Sequence, residues 1–103
     1  MSIKRGLRRP TFPGEILLVH YLRPNDISIT RFVRAIGRSR KHMSNIVRGN
    51  SRVEPGMAAK IAKTLNTSTR FWLHLQIAVD EFDAEAETKN WRSSEPIVLS
   101  GQV

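Results

Sequence analysis

The side chains with the clearest capacity for chemistry lie between residues 37 and 49, in the stretch GRSRKHMSNIVRG. Their hydrogen-bond donors include Arg40, Lys41, Ser44 and Asn45, and no carboxylate interrupts them. Arginine and lysine donate to O6 and N7 of guanine, asparagine pairs with N6 and N7 of adenine, and each good contact discriminates between bases by about 1–3 kcal/mol. We therefore predict that these four residues read DNA bases.

This stretch also has the pattern of an amphipathic helix. Met43, Ile46 and Val47 recur at i, i+3 and i+4, a spacing that places them on one side of a helix, toward a core. The four donors then lie on the opposite side. Ser39 precedes the helix and caps its N-terminus whatever the function. The alternative interpretation is a basic helix face that is only solvated.

A second helical pattern precedes this one, and the two form a helix-turn-helix unit. The segment SITRFVRAI begins at the N-cap residue Ser28 and ends at Gly37, about three residues before the next helix. In such a unit the second helix enters the major groove, while helix starts, the turn and the following loop contact phosphates. Capping and solvation explain the same residues without DNA. The predicted phosphate contacts are Ser28, Arg38, Ser39, Arg48, Asn50, Ser51 and Arg52.

Three further helical segments flank this unit. Proline needs no N–H at the first helical position, and it begins two of them, at Pro13 and Pro55. The third follows Thr67 or Ser68 as its N-cap and runs through Phe82 into acidic sequence. The sequence therefore predicts an all-α fold of five helices in one bundle.

The chain of 103 residues is short enough for a single domain. The predicted helices occupy residues 13–87. Residues 88–103 are expected to form an irregular tail, in which IVL at 97–99 could add as a strand to a partner's sheet. Residues 1–12 are expected to form a flexible basic arm, whose cations could enter a minor groove or wrap a partner: Lys4, Arg5, Arg8 and Arg9.

Charge is segregated along the chain. Residues 1–52 contain 12 Lys and Arg against 2 Asp and Glu, whereas residues 53–103 contain 5 against 7. The net charge of +8 therefore resides in the half that contains the helix-turn-helix pattern. Such an asymmetry is typical of proteins that bind a polyanion.

The sequence lacks the residue patterns of an enzyme. It has no cysteine for a disulfide or a thiolate metal site, and no phosphate-binding glycine loop or nucleophile elbow. The three histidines fall on separate predicted helices. We therefore expect no catalytic residue, metal or cofactor. Because there is neither a signal peptide nor an apolar run of about 18 residues, we expect a cytoplasmic protein without a membrane partner.

The last predicted helix carries more large apolar residues than one stripe can hold. Phe71, Leu75 and Val79 form the line expected in the core, and Trp72 and Leu73 point away from it. A core position explains such residues as well as an interface does. A two-fold dimer would place its recognition helices about 34 Å apart, one turn of DNA. The predicted dimer contacts are Phe71, Trp72, Leu73 and Leu75.

Five segments together resemble the HigA and VapI antitoxins within the Xre/Cro-like helix-turn-helix family, over roughly residues 10–86. They are PGEILL at 13–18, SITRFVRAIG at 28–37, SRKHMSNIVRG at 39–49, VEPGMAAKIAKTLNTS at 53–68 and FWLHLQIAVD at 71–80. The third segment is common to many Xre-like proteins, whereas the first together with FWLHLQ points to HigA. Two residues depart from the pattern: Arg38 replaces a small apolar turn residue, and Asn66 replaces glycine.

The resemblance implies a five-helix, lambda-repressor-like DNA-binding domain that forms a homodimer through its C-terminal helical part. It also implies binding to a palindromic operator, repression of the chain's own operon, and neutralisation of a HigB toxin, an mRNA-cleaving protein of the RelE-like kind. The base-reading residues and Ser39 fall where the family reads DNA. The acidic run, otherwise a solvated face, could meet such a basic toxin: Asp80, Glu81, Asp83, Glu85 and Glu87.

Two other functions remain open. A stand-alone Xre-type transcriptional regulator without a toxin partner would have the same DNA-reading helix, and the neighbouring gene would distinguish the two. An RNA-binding protein would need aromatic side chains for base stacking. The basic half offers only Phe12, Tyr21 and Phe32 for that purpose.

Overall fold

The computed structural model describes residues 8–101, so Lys4 and Arg5 of the predicted arm lie outside the described residues. Within this range the chain forms five helices and no strand, which confirms the predicted all-α fold. The apolar residues 97–99 of the tail are exposed. The helices are α1 (Pro13–Ile16), which continues as a π-helix over Leu17–Leu22, then α2 (Ile29–Ile36), α3 (Arg40–Val47), α4 (Pro55–Leu65) and α5 (Thr69–Glu87).

Short polar residues begin three of these helices, as predicted. The hydroxyl oxygens of Ser28, Ser39 and Ser68 accept hydrogen bonds from backbone N–H groups three residues later, at 3.0, 3.1 and 3.1 Å. Gly37 and Asn66 end α2 and α4 in the left-handed conformation, with φ of 75° and 58°. Asparagine tolerates this conformation, so the departure from glycine at position 66 leaves the helix end intact.

The first helix is not the continuous α-helix that the sequence predicts. After Ile16 the backbone hydrogen bonds join residues five apart instead of four. The Arg23 N–H, for example, donates to the Leu18 carbonyl at 2.9 Å. This i→i+5 pattern brings residues five apart onto the same side. Leu17 and Leu22 can therefore both face the core, where each is fully buried.

The helix α5 turns a different side to the core than the sequence predicts. Trp72, Gln76 and Val79 are buried at i, i+4 and i+7, whereas Phe71 is 37% exposed. The Trp72 indole Nε1 donates to the Thr67 hydroxyl oxygen at 2.8 Å. The prediction that Trp72 contacts a dimer partner is therefore wrong, because its side chain is 0% exposed within its own chain.

The hydrophobic core contains buried residues from all five helices and packs α3 against the others. The Trp72 ring is fully buried in this core, and its centroid lies 5.3 Å from that of the Tyr21 ring and 5.1 Å from that of the Phe71 ring. The residues of α3 that face this core are held in a fixed orientation, which also fixes the opposite face of the helix. The largest fully buried side chains are Trp72, Phe32, Leu17, Leu22, Met43, Ile46, Ile61 and Val53.

Candidate nucleic-acid interface

The helix α3 has the two faces that its sequence predicts. Met43, Ile46 and Val47 are buried. On the other side, Arg40 and Lys41 are exposed, and Ser44 and Asn45 are half-buried. Neither Arg40 nor Lys41 has an ion-pair partner within residues 8–101. The predicted base-reading residues therefore form one surface with two uncompensated cations.

Two glycines allow close contacts that position α3. Gly14 of α1 faces the backbone of α3 so closely that an added Cβ would collide with the carbonyl group of Ile46 and the Cα of Val47. Gly49, just after α3, has φ of 81° and lies over the Phe12 ring, 3.0 Å from where a Cβ would stand. Only glycine permits such approaches, so close packing at these two glycines anchors the C-terminal end of α3.

Arg38, the residue that departs from the family pattern, is exposed in the turn between α2 and α3. The backbone N–H of Arg38 donates to the Val33 carbonyl at 3.2 Å, so the turn closes normally. Arg38 lines an open cavity of about 270 Å³, together with His42 and Lys60. Ser28 and Ser39 are also exposed, and their O–H groups can still donate to a phosphate while their oxygens cap the helices.

The loop after α3 is tied to the carbonyl of Asn45. The backbone N–H groups of Asn50 and Ser51 both donate to this oxygen, at 2.8 and 3.2 Å. The Arg48 guanidinium lies 3.4 Å from the Asn45 side-chain oxygen. Arg48, Asn50 and Ser51 are thus brought beside a predicted base-reading residue, although the two backbone amides are already occupied and only the side chains remain to contact DNA.

Arg52 differs from the other predicted phosphate contacts. Its two terminal nitrogens donate to the two Asp80 carboxylate oxygens at 2.7 Å each, and its Nε lies 3.0 Å from the Glu54 carboxylate. The hydrogen bonds from Arg52 hold the pKa of Asp80 below its ordinary value, with a further contribution from Gln76. Arg52 is therefore paired with two carboxylates of its own chain, and its assignment as a phosphate contact stays a prediction.

The sequence reasoning did not identify Gln76, the buried polar residue of α5. Its side-chain oxygen accepts from the Val53 N–H at 2.8 Å, and its nitrogen donates to Asp80 at 3.0 Å. Gln76 is only 6% exposed. A polar residue one turn after Trp72, on the buried stripe, is the signal that could have revealed it, because buried amides are nearly always hydrogen-bonded.

The described part of the predicted arm is also paired with α5. The Arg9 guanidinium donates to both Asp83 carboxylate oxygens at 2.9 Å, and each side chain is 47% exposed. Hydrogen bonding from Arg9 keeps the pKa of Asp83 below its ordinary value. Two members of the acidic run, Asp80 and Asp83, therefore engage arginines of their own chain instead of being only solvated.

Within residues 8–101 no cluster of three or more histidine or acidic residues has a geometry suited to a metal ion. None of the helices in the same range is long and apolar enough to cross a membrane. The aromatic residues of the basic half do not form a stacking surface, because Phe32 is 1% exposed and Phe12 packs against Gly49. The exposed donors of α3 thus fit the grooves of a duplex better than unpaired bases.

The chain is similar to known helix-turn-helix proteins over most of its length, although no family model matches it. It is 36% identical over 95 residues to the uncharacterized HTH-type transcriptional regulator YbaQ of Escherichia coli K12, spanning 92% of this chain and 81% of that protein. It is 36% identical over 81 residues to the antitoxin HigA-1 of Vibrio cholerae, spanning 79% and 76%. The solved structure of Pseudomonas aeruginosa antitoxin HigA with the higBA promoter superposes with a TM-score of 0.79 at 32% identity, over 87% of this chain and 100% of that one.

Proposed function

Because this chain belongs to the family of helix-turn-helix transcriptional regulators that includes the HigA antitoxins, we propose that it is a sequence-specific DNA-binding antitoxin. In this proposal a homodimer binds a palindromic operator and represses its own operon. The same chain neutralises a HigB-like toxin, an mRNA-cleaving protein of the RelE-like kind. The observation that supports DNA binding is the donor face of α3. It is open to solvent, contains no carboxylate and is held in place by the buried opposite face of the helix.

The base contacts are assigned to Arg40, Lys41, Ser44 and Asn45. An α-helix fits the major groove, and arginine, lysine and asparagine have the geometry to recognise guanine and adenine there. Phosphate contacts would flank them and set the register of α3 on the duplex. Because two carboxylates already engage its guanidinium, we leave Arg52 out of this set. The proposed phosphate contacts are Ser28, Arg38, Ser39, Arg48, Asn50 and Ser51.

The dimer contact is assigned to apolar side chains of α5 that flank its buried stripe on both sides. Phe71 is 37% exposed, and Leu73 and Leu75 are half-buried at the edge of the core. Ile77, one turn further along the same helix, is 57% exposed. Two-fold pairing through such residues would cover them and set two copies of α3 about 34 Å apart, to match successive major grooves.

The toxin contact is assigned to the acidic end of α5. Asp80 and Asp83 are occupied by Arg52 and Arg9, but three acidic residues are exposed and have no ion-pair partner within residues 8–101: Glu81, Glu85 and Glu87. A toxin that binds and cleaves RNA carries positive charge. The carboxylates would therefore steer it toward this end of the helix.

Co-expression with the small reading frame beside its gene tests both halves together. Cells would also carry a reporter under the promoter of that gene. We expect the wild-type chain to restore growth, to co-purify with the toxin and to repress the reporter. The variant Asn45→Ala should lose repression and keep the rescue of growth, because the proposed DNA contact lies on α3 and the proposed toxin contact on α5.

The outcomes separate the candidate functions. Repression of the reporter without rescue or complex formation would identify a stand-alone Xre-type regulator. Rescue without repression by the wild-type chain would contradict the operator-binding half. Loss of rescue in Asn45→Ala would show that α3, rather than the acidic end of α5, contacts the toxin.

A further inference from the structure

The loop between α3 and α4 is fixed at both of its ends. At its start, Asn50 and Ser51 donate their backbone N–H groups to the last turns of α3, at the Asn45 carbonyl. At its end, Val53 is 2% exposed, and its N–H donates to the buried side chain of Gln76. A loop so anchored cannot shift along α3 without breaking a buried hydrogen bond.

Asp80 completes this second anchor. Its carboxylate receives one hydrogen bond from the Gln76 amide at 3.0 Å and two from the Arg52 guanidinium at 2.7 Å. A bidentate pair between arginine and carboxylate fixes direction as well as distance. Gln76 and Asp80, on α5, thus hold two consecutive loop residues, Arg52 by its side chain and Val53 by its backbone. We call these four residues the loop clamp.

We propose that Gln76 and Asp80 are positioning residues for DNA binding, because the loop clamp holds the loop so that Asn50 and Ser51 reach the DNA backbone. The proposal rests on the proposed DNA-binding function. It assigns to α5 a part in operator recognition without any contact between α5 and DNA. It also assigns to Arg52 a structural task in place of a phosphate contact.

The direction in which one substitution changes the affinity for DNA separates a positioning role from a purely electrostatic one. Asp80 carries a negative charge close to a surface that would meet phosphates. If charge alone mattered, its removal would strengthen DNA binding. If the loop clamp positions the loop, the same removal should weaken binding to the operator, since Arg52 loses its bidentate partner and the loop its anchor.

The experiment compares Asp80→Asn with Glu81→Gln in the full chain, on a duplex containing the promoter of its own gene. Glu81 is the neighbouring acidic residue, is exposed and has no ion-pair partner within residues 8–101. We expect Asp80→Asn to bind the duplex at least about fivefold more weakly than the wild type. A fivefold loss of affinity is about the lower limit expected when one good contact with DNA is lost. The slope of affinity against salt should stay unchanged, because the weakened contacts are those of the uncharged Asn50 and Ser51, which displace no counterions. Glu81→Gln should bind as tightly as the wild type or slightly more so.

Arg52→Lys provides a second variant should Asp80→Asn fail to fold. It keeps the charge and removes the bidentate geometry, so we expect it to weaken binding in the same way as Asp80→Asn. Hydrogen exchange at the Val53 amide provides a readout without DNA, and the exchange should become faster in both variants. A folded Arg52→Lys variant with unchanged affinity and unchanged exchange at Val53 would overturn the inference.

Other results would also contradict the inference, and they differ from a failure of the proposed function. Equal or tighter binding by Asp80→Asn, or a reduced salt slope in Arg52→Lys, would show that the loop clamp does not position the loop. A wild-type chain that binds the promoter duplex no better than a scrambled one would overturn the proposed function and this inference with it. The wild-type measurement therefore tells the two failures apart.

Discussion

Individual basic side chains along the proposed interface are in two different electrostatic situations. Arg40 and Lys41 are exposed without an ion pair within residues 8–101, whereas Arg9 and Arg52 each share their guanidinium with a carboxylate of α5. A cation that displaces counterions from phosphates contributes to DNA affinity, and one already neutralised contributes little. The charge that this interface can offer DNA is therefore smaller than a count of arginines and lysines indicates.

The two carboxylate pairs should contribute to stability in a pH-dependent way. Hydrogen bonds from Arg52 lower the pKa of Asp80 in the folded chain below the 3.8 of an ordinary aspartate. Stability from such a group is fully present above the unfolded pKa and is lost as pH falls through the lower, folded pKa. We therefore expect Asp80→Asn to melt below the wild type at neutral pH, with the difference in Tm shrinking as pH falls below about 4.

Asp83→Asn is the matched control for this measurement. Its pair with Arg9 has both side chains 47% exposed, without the additional amide that Asp80 receives. Exposed ion pairs contribute little because water and salt screen them. Its effect on Tm at neutral pH should be smaller than that of Asp80→Asn. A difference between wild type and Asp80→Asn that is constant from pH 7 to pH 3 would contradict the assignment.

At the scale of helices, the most constraining contact is the one between α1 and α3. An added Cβ at Gly14 would collide with the backbone of α3, which cannot move aside as a flexible side chain could. A larger residue would therefore push α3, and with it the four base-reading residues, away from the rest of the bundle. The reading helix is positioned by this contact as much as by its own buried side chains.

Replacing Gly14 by alanine should destabilise the fold. Overpacking of a tight contact costs about 1–3 kcal/mol. Gly56 is the matched control, because an added Cβ there meets nothing within 4 Å and alanine favours a helix over glycine by up to about 1 kcal/mol. Chemical denaturation should therefore show Gly14→Ala less stable and Gly56→Ala equal or more stable than the wild type. Equal effects of the two substitutions would show that α1 and α3 do not constrain each other.

The order and limits of the helices could be predicted because their signals are local. Ser39 caps α3 and Gly37 ends α2 through contacts with residues only a few positions away. The exposed face of α3 followed from the same short-range periodicity, since Met43, Ile46 and Val47 lie within two turns. The periodicity alone therefore predicts that the base-reading residues lie on one side of α3, and this prediction requires no knowledge of the tertiary structure.

The rest of the site depends on contacts between residues distant in sequence. Arg52 and Asp80 are 28 positions apart, and nothing in either segment indicates that they meet. The side of α5 that faces the core was misassigned because both Phe71 and Trp72 satisfy a helical spacing with apolar residues further along. Only the packing of α5 against the rest of the core decides between them, and it buries Trp72.

At the scale of the whole molecule, basic and acidic charge fall in two regions of the chain. The basic half contains α3 and its donor face, and the acidic end of α5 carries the carboxylates assigned to a toxin contact. Asp80 connects the two regions, because it belongs to the acidic run and also holds the loop after α3. In a homodimer this arrangement would appear twice, with two reading helices related by the two-fold axis.

The most direct test of the account is the affinity of wild type, Asn45→Ala and Lys63→Ala for two duplexes, the promoter of the chain's own gene and a scrambled sequence of equal composition. Lys63 is exposed on α4, outside the proposed interface. We predict that Asn45→Ala loses from about fivefold to more than a hundredfold on the promoter duplex and little on the scrambled one, because it removes a base contact. Lys63→Ala should leave the ratio of the two affinities unchanged. An Asn45→Ala variant that binds both duplexes as the wild type does, or weakens on both equally, would contradict the claim that α3 reads the operator.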